Sequence, residues 1–98
     1  MSRVFIINSS AHDYSSATKF GKVCNITEGK VPLFKTDLMK SILIKELNNF
    51  TSEDYLLVSG PTWLCMMTAI ILSKRLTEIK FLVFDAKEQE YIVRHFKL

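Results

Sequence analysis

The chain predicts an α/β domain with a five-stranded, mostly parallel sheet, and three observations lead there. Short apolar runs of strand length alternate with segments of helical period, the first and third runs end in small polar residues, and only Ala86-Lys-Glu-Gln89 parts the last two runs. The expected architecture is a single compact three-layer Rossmann-like domain over residues 1–98, with strand order 2-1-3-4-5 and an antiparallel C-terminal edge strand.

Residues 3–8 hold Val4-Phe5-Ile6-Ile7, a continuous apolar run that suits a central parallel strand buried on both faces. Asn8-Ser9-Ser10 stops it. Residues 13–20 fit two helical turns, with Asp13 or Ser15 at the start and Gly21 in the left-handed end position. Residues 23–27 form a short second strand and Glu28-Gly29-Lys30 a turn.

From Thr36, the apolar residues Leu38, Met39, Ile42, Leu43, Leu47 and Phe50 recur at three- and four-residue steps, which predicts an amphipathic helix. Thr36 suits its cap and Asp37 its first turn. Residues 55–59 are the third strand. The helix over residues 62–76 is apolar nearly all the way round, so one side should pack on the sheet and another on something else. A homodimer through this helix is one expectation, burial by the neighbouring helix the other. Residues 80–85 and 90–98 are the fourth and fifth strands, too close in sequence for anything but an antiparallel hairpin.

Composition narrows the function classes. Ninety-eight residues at 48% apolar content fit one core, and 13 basic against 10 acidic residues give a net charge of +3 without any basic run longer than Lys74-Arg75. Cys24 and Cys65 stand far apart, with no zinc or redox spacing, as in a reduced cytoplasmic protein. No metal and no cofactor is expected. The start of the chain has too short an apolar stretch for a signal peptide. Residues 55–73 carry no charge, but Gly60-Pro61 interrupts them, so a buried strand and helix are expected there and no membrane span.

In the predicted topology, strands one and three are central neighbours whose connections leave in opposite directions, and ligands of open parallel sheets bind at such a switch point. Ser59-Gly60-Pro61-Thr62 lies there and opens a helix, so its amides and hydroxyls suit an anion; a tight strand-to-helix turn also wants these residues on structural grounds alone. Facing it is Asn8-Ser9-Ser10-Ala11-His12-Asp13-Tyr14, and Asp85 ends the fourth strand at the same rim. His12 could serve as a general base or phosphate donor oriented by Asp13, or be an exposed histidine beside a capping aspartate. The candidate ligand-binding set is therefore Asn8, Ser9, Ser10, His12, Asp13, Tyr14, Ser59, Gly60, Pro61, Thr62 and Asp85, with His12 the candidate catalytic residue.

Residues 55–72, YLLVSGPTWLCMMTAIIL, resemble the strand, small-residue turn and apolar helix of CRISPR-associated Rossmann-fold (CARF) domains, and the turn at Asn8 to Ser10 is similar in position to the loop after their first strand. Pro61 and Trp63 stand where that family commonly has Gly and Lys. The resemblance implies a dimer binding a cyclic oligonucleotide. A short free-standing domain of this kind also resembles the counter-defence proteins of phages and mobile elements.

Three function classes follow: a homodimeric binding module for a nucleotide or other phosphate-bearing ligand; a metal-independent phosphodiesterase or nuclease using His12; and a phage-type inhibitor or scaffold that binds a macromolecule through the apolar helix or the last strand. For nucleic acid, Tyr91, Arg94, His95 and Lys97 are the candidates.

Overall fold

Four consecutive buried residues, Val4 to Ile7, leave their strand no solvent face, and in the computed structural model, which describes residues 2–98, it lies inside the sheet. This strand, β1 (Arg3–Ser9), pairs in parallel with β2 (Lys22–Glu28) on one side and β3 (Tyr55–Leu57) on the other. Beyond β3 lie β4 (Glu78–Asp85), also parallel, and β5 (Glu90–Lys97), antiparallel to β4. The order is β2-β1-β3-β4-β5, as the sequence predicts.

Side-chain alternation divides the core between the two faces. Phe5, Ile7, Leu56 and Ile79 meet two helices, α1 (Thr36–Glu46) through Met39 and Leu43, and α2 (Thr62–Ser73) through Leu64, Met67 and Leu72. Val4, Ile6, Leu57, Leu82 and Tyr91 form the opposite cluster with Ala17. Ala17 is the one buried residue of a six-residue 3-10 helix, η1 (Ser15–Phe20), the sole helical element on that face among the described residues.

Sequence reasoning expects ordinary helix in η1, and local polar bonds explain the tighter turn. Asp13 accepts the Ser15 backbone N–H at 2.8 Å, and the Thr18 hydroxyl donates to the Ser15 carbonyl at 2.7 Å, so side chains compete for backbone groups that an α-helix would need. Tyr14, not Asp13 or Ser15, occupies the cap position. Gly21 ends η1 at φ 147°, ψ −176° rather than in the left-handed helical region; a Cβ there would strike the Ser2 carbonyl.

Other boundaries move for similar reasons. Thr36 is the first residue of α1 instead of its cap, with the Lys35 carbonyl accepting the Met39 N–H. Helix α1 ends at Glu46, and the buried Leu47 and Phe50 follow in tighter turns, Phe50 packing edge-on against Phe5 at 5.0 Å between centroids. Past the end of α2, Arg75 donates to the Phe50 carbonyl at 2.8 Å and to that of Leu47, which also accepts the Phe50 N–H, and so ties the turns after α1 to the end of α2.

Charge is also used to hold the amino ends of the strands. The Asp54 side chain is 1% exposed and accepts from the Arg3 backbone N–H at 2.9 Å, the Arg3 guanidinium at 3.0 Å and the Thr51 N–H at 2.8 Å. Burial pushes the Asp54 carboxyl up, but these bonds together outweigh it and hold the group below its ordinary value. The uncharged residues 55–73 divide into β3, the turn and α2; among the described residues no helix is long and apolar enough to cross a membrane.

Candidate functional site

At the carboxyl ends of the strands, the two predicted turns do meet, and each is fastened to the other. The Ser59 hydroxyl donates to the Asn8 carbonyl at 2.8 Å. Gly60 lies against the Asn8 side chain with φ +94°, and a Cβ at this position would come within 2.5 Å of Asn8 Cβ, so the close approach requires glycine. Asn8 is itself buried and spends its amide N–H groups on the Thr27 hydroxyl at 2.9 Å and the Gly29 carbonyl at 3.0 Å. Three of the predicted ligand residues thus hold the turns together.

Pro61 is the cap residue of α2, in extended conformation, and Thr62 is the first helical residue; no side chain caps this helix. The helix thus begins at Thr62, as the sequence predicts, and ends at Ser73, three residues before the predicted end.

Beside the joined turns lies a pocket of about 430 Å³, lined by His12, Asp13, Tyr14, Val58, Ser59, Phe84, Gln89 and Tyr91. It brings together four of the predicted residues, His12, Asp13, Tyr14 and Ser59. Asn8, Ser9, Ser10, Gly60, Pro61, Thr62 and Asp85 are not among its walls. Val58, Phe84, Gln89 and Tyr91 are walls that sequence reasoning missed. Phe84 and Tyr91 come from the two strands of the hairpin, where they are direct cross-strand partners with centroids 5.2 Å apart. That register was available from the short hairpin loop.

The pocket has aromatic walls and a carboxylate, and no Lys or Arg lines it. The expected orientation of His12 by Asp13 is not what the geometry gives, because the Asp13 carboxylate receives the Ser15 N–H, which holds the group below its ordinary value. The His12 ring faces Tyr14 edge-on at 6.4 Å. Asp85 accepts the N–H groups of Lys87 and Glu88 and so caps the hairpin turn. Burial pushes the Tyr91 phenol up, with the nearby Tyr14 and Asp13 adding to the effect. Among the described residues no three His, Cys, Asp or Glu side chains gather as metal ligands.

A larger feature lies on the outer side of the helices. A groove of about 750 Å³ runs between α1 and α2, with Ile44, Trp63, Met67, Ile70 and Ile71 on its apolar walls. Lys40, Lys74 and Arg75 are its charged lining residues, and no Asp or Glu lines it. Trp63 is 40% exposed and Ile70 52%, and Met66, one turn before Ile70, is 52% exposed. The all-round apolarity of residues 62–76 was the signal for this surface, and the second side it called for is open.

The last strand does not gather its cations on one surface. Alternation puts Arg94, opposite Phe81, on the helix-covered face, and His95 and Lys97, opposite Lys80 and Glu78, on the other face with Tyr91. His95 contacts Glu78, and Tyr91 is 7% exposed.

These features define the class as an α/β domain with a mostly parallel five-stranded sheet, with a pocket at the strand ends and an open apolar groove between its helices. Within that class the chain belongs to the phage Pam3 gp32-like protein family, whose model matches residues 2–98. Neither the curated proteins nor the solved structures contain a match. The family is a phage family, which agrees with the resemblance to phage proteins; no likeness to CARF domains is shown.

Proposed function

We propose that this chain is a phage interaction protein that works by binding another protein through the outer surface of α1 and α2. The observation that carries the reading is the groove itself: Trp63, Ile70 and Ile44 are large apolar side chains left in water side by side, where a monomer gains nothing from them. Fully burying an aliphatic side chain is worth about 1.5–3 kcal/mol, so covering the exposed half of one contributes roughly half of that, and tryptophan is among the residue types most enriched at the energetic centres of interfaces. Phage membership fits a small protein directed at a macromolecule, whether as inhibitor or scaffold.

The test is a photo-crosslinking amino acid in place of Met66, in bacterial cells producing the full chain. A crosslinked protein is expected, and it should vanish when Ile70→Glu is added and fail to form when the crosslinker replaces Lys87 on the distant hairpin turn. Crosslinking that ignores both changes would sink the reading.

The pocket at the strand ends supports a second reading, the binding of a small ligand carrying an aromatic ring, with a nucleobase as one fitting chemistry. Tyr14, Phe84 and Tyr91 offer ring faces and edges, and His12 and Gln89 offer hydrogen bonds. A phosphate group would meet the Asp13 carboxylate there with no cation lining the pocket, so the nucleoside part supports this reading better than the phosphate. Native mass spectrometry against matched nucleosides and nucleotides decides it: equal or tighter binding of the nucleosides agrees, and no binding of either removes it.

A further inference from the structure

The groove between α1 and α2 has a charge pattern as well as an apolar floor, and the two together select among occupants. Its walls are Ile44, Trp63, Met67, Ile70 and Ile71, and the charged lining residues are Lys40 on α1 and Lys74 and Arg75 after α2. Arg75 is already committed to the carbonyls of Leu47 and Phe50. Lys40 and Lys74 have no salt-bridge partner among the described residues.

We infer that this groove docks an acidic amphipathic helix of a partner protein, with apolar side chains between α1 and α2 and carboxylates beside Lys40 and Lys74. The inference rests on the protein-binding reading and adds the chemistry of the partner. A helix laid between two helices presents apolar residues at three- and four-residue steps, which suits an apolar floor lined from both α1 and α2 with basic residues beside it. A second copy of this chain suits the site less well. In a two-fold pairing the same patch lies on both sides, and because no Asp or Glu lines it, Lys40 and Lys74 of one copy would meet no acidic lining residue of the other, in a protein whose net charge is already +3.

Trp63 provides the readout, because it is the only tryptophan of the chain and lines the groove. Two synthetic helical peptides, with one leucine face in common and either glutamate or lysine on the flanks, are titrated against the full protein while Trp63 emission is followed. The glutamate peptide should shift the emission to shorter wavelength and bind at least about tenfold more tightly than the lysine peptide, with the difference shrinking as salt is added. The Lys40→Glu/Lys74→Glu double variant, checked for an unchanged melting profile, should reverse the preference.

Equal binding of the two peptides would overturn the acidic partner, as would a preference that survives the double variant. Binding of neither peptide would overturn it too; sedimentation showing a dimer that Ile70→Glu dissociates would then assign the groove to a second copy. The broader reading is judged apart from this. If the Met66 crosslink persists and Ile70→Glu abolishes it while the peptides fail, only the partner chemistry is wrong; if the crosslink fails as well, the protein-binding reading falls with it.

Discussion

The clasp at the amino ends of the strands and the outer surface of α2 invert the usual placement of residues in opposite ways. At the clasp a carboxylate is buried, and every bond it makes is to this chain: Arg3 and Thr51 surround Asp54. On α2 large apolar side chains are exposed, and about half of the surface of Trp63, Met66 and Ile70 is left uncovered by this chain. Exposed polar and buried apolar residues are uninformative, whereas a buried charge or an exposed apolar cluster needs a cause. The cause at the clasp is internal and serves the fold. On α2 the proposed cause lies outside the chain, and that separates the residues whose loss should unfold the protein from those whose loss should only disconnect it.

The largest expected effect is at the clasp. Asp54→Ala leaves the Thr51 N–H without its acceptor and the Arg3 guanidinium with the Asn49 carbonyl alone, and should cost about 2–3 kcal/mol, below the range of about 3–5 kcal/mol for broken buried pairs because Arg3 is partly exposed. In thermal melts that is a fall of roughly 10–20 °C for a domain of this size. The pH dependence has a definite sign. The folded carboxyl lies below its unfolded value, so its contribution is complete above the ordinary carboxylate range and is lost as pH falls through the lower folded value. Wild type should lose stability across that acid window more steeply than Asp54→Ala, and parallel curves would mean that the clasp is not the acid-sensitive element.

A smaller effect is expected at the joined turns, which resemble the clasp more than the groove. Gly60→Ala introduces a Cβ at φ +94° against Asn8 and should cost about 2 kcal/mol, combining backbone strain with displacement of the Asn8 side chain. Denaturant unfolding measures it. A neutral outcome would move this turn from the structural group to the functional one.

What the sequence made legible follows the same division. The buried run Val4 to Ile7, the short hairpin loop and the helical period from Thr36 are local patterns, and they suffice for the strand order. The clasp joins positions 51 residues apart in a chain with many scattered charges, so nothing local marks Arg3 and Asp54 as partners. Phe84, Gln89 and Tyr91 enter the pocket only because the hairpin folds back toward η1. The polar cluster from Asn8 to Tyr14 looked functional because of its composition, yet much of its bonding is spent on its own backbone and on the neighbouring turn. By contrast, the excess apolarity of α2 was visible without any contact map, because a helix with two apolar sides in a small domain has only one sheet to cover it.

The smallest expected effect on stability is at Ile70. Replacing it with Glu removes an apolar group already half in water, so unfolding should change by no more than about 0.5 kcal/mol, while the groove-dependent crosslink and peptide binding are lost. Leu64→Glu, six residues earlier on the same helix and fully buried, should unfold the protein, which fixes the scale. Were Ile70→Glu to destabilise the chain by several kcal/mol, the outer surface of α2 would be covered within the chain's own assembly. The contrast between an internal clasp and an external groove would then give way to that of a folded core and an obligate self-interface. A near-silent melt together with lost binding is the pairing that keeps the groove free for another protein.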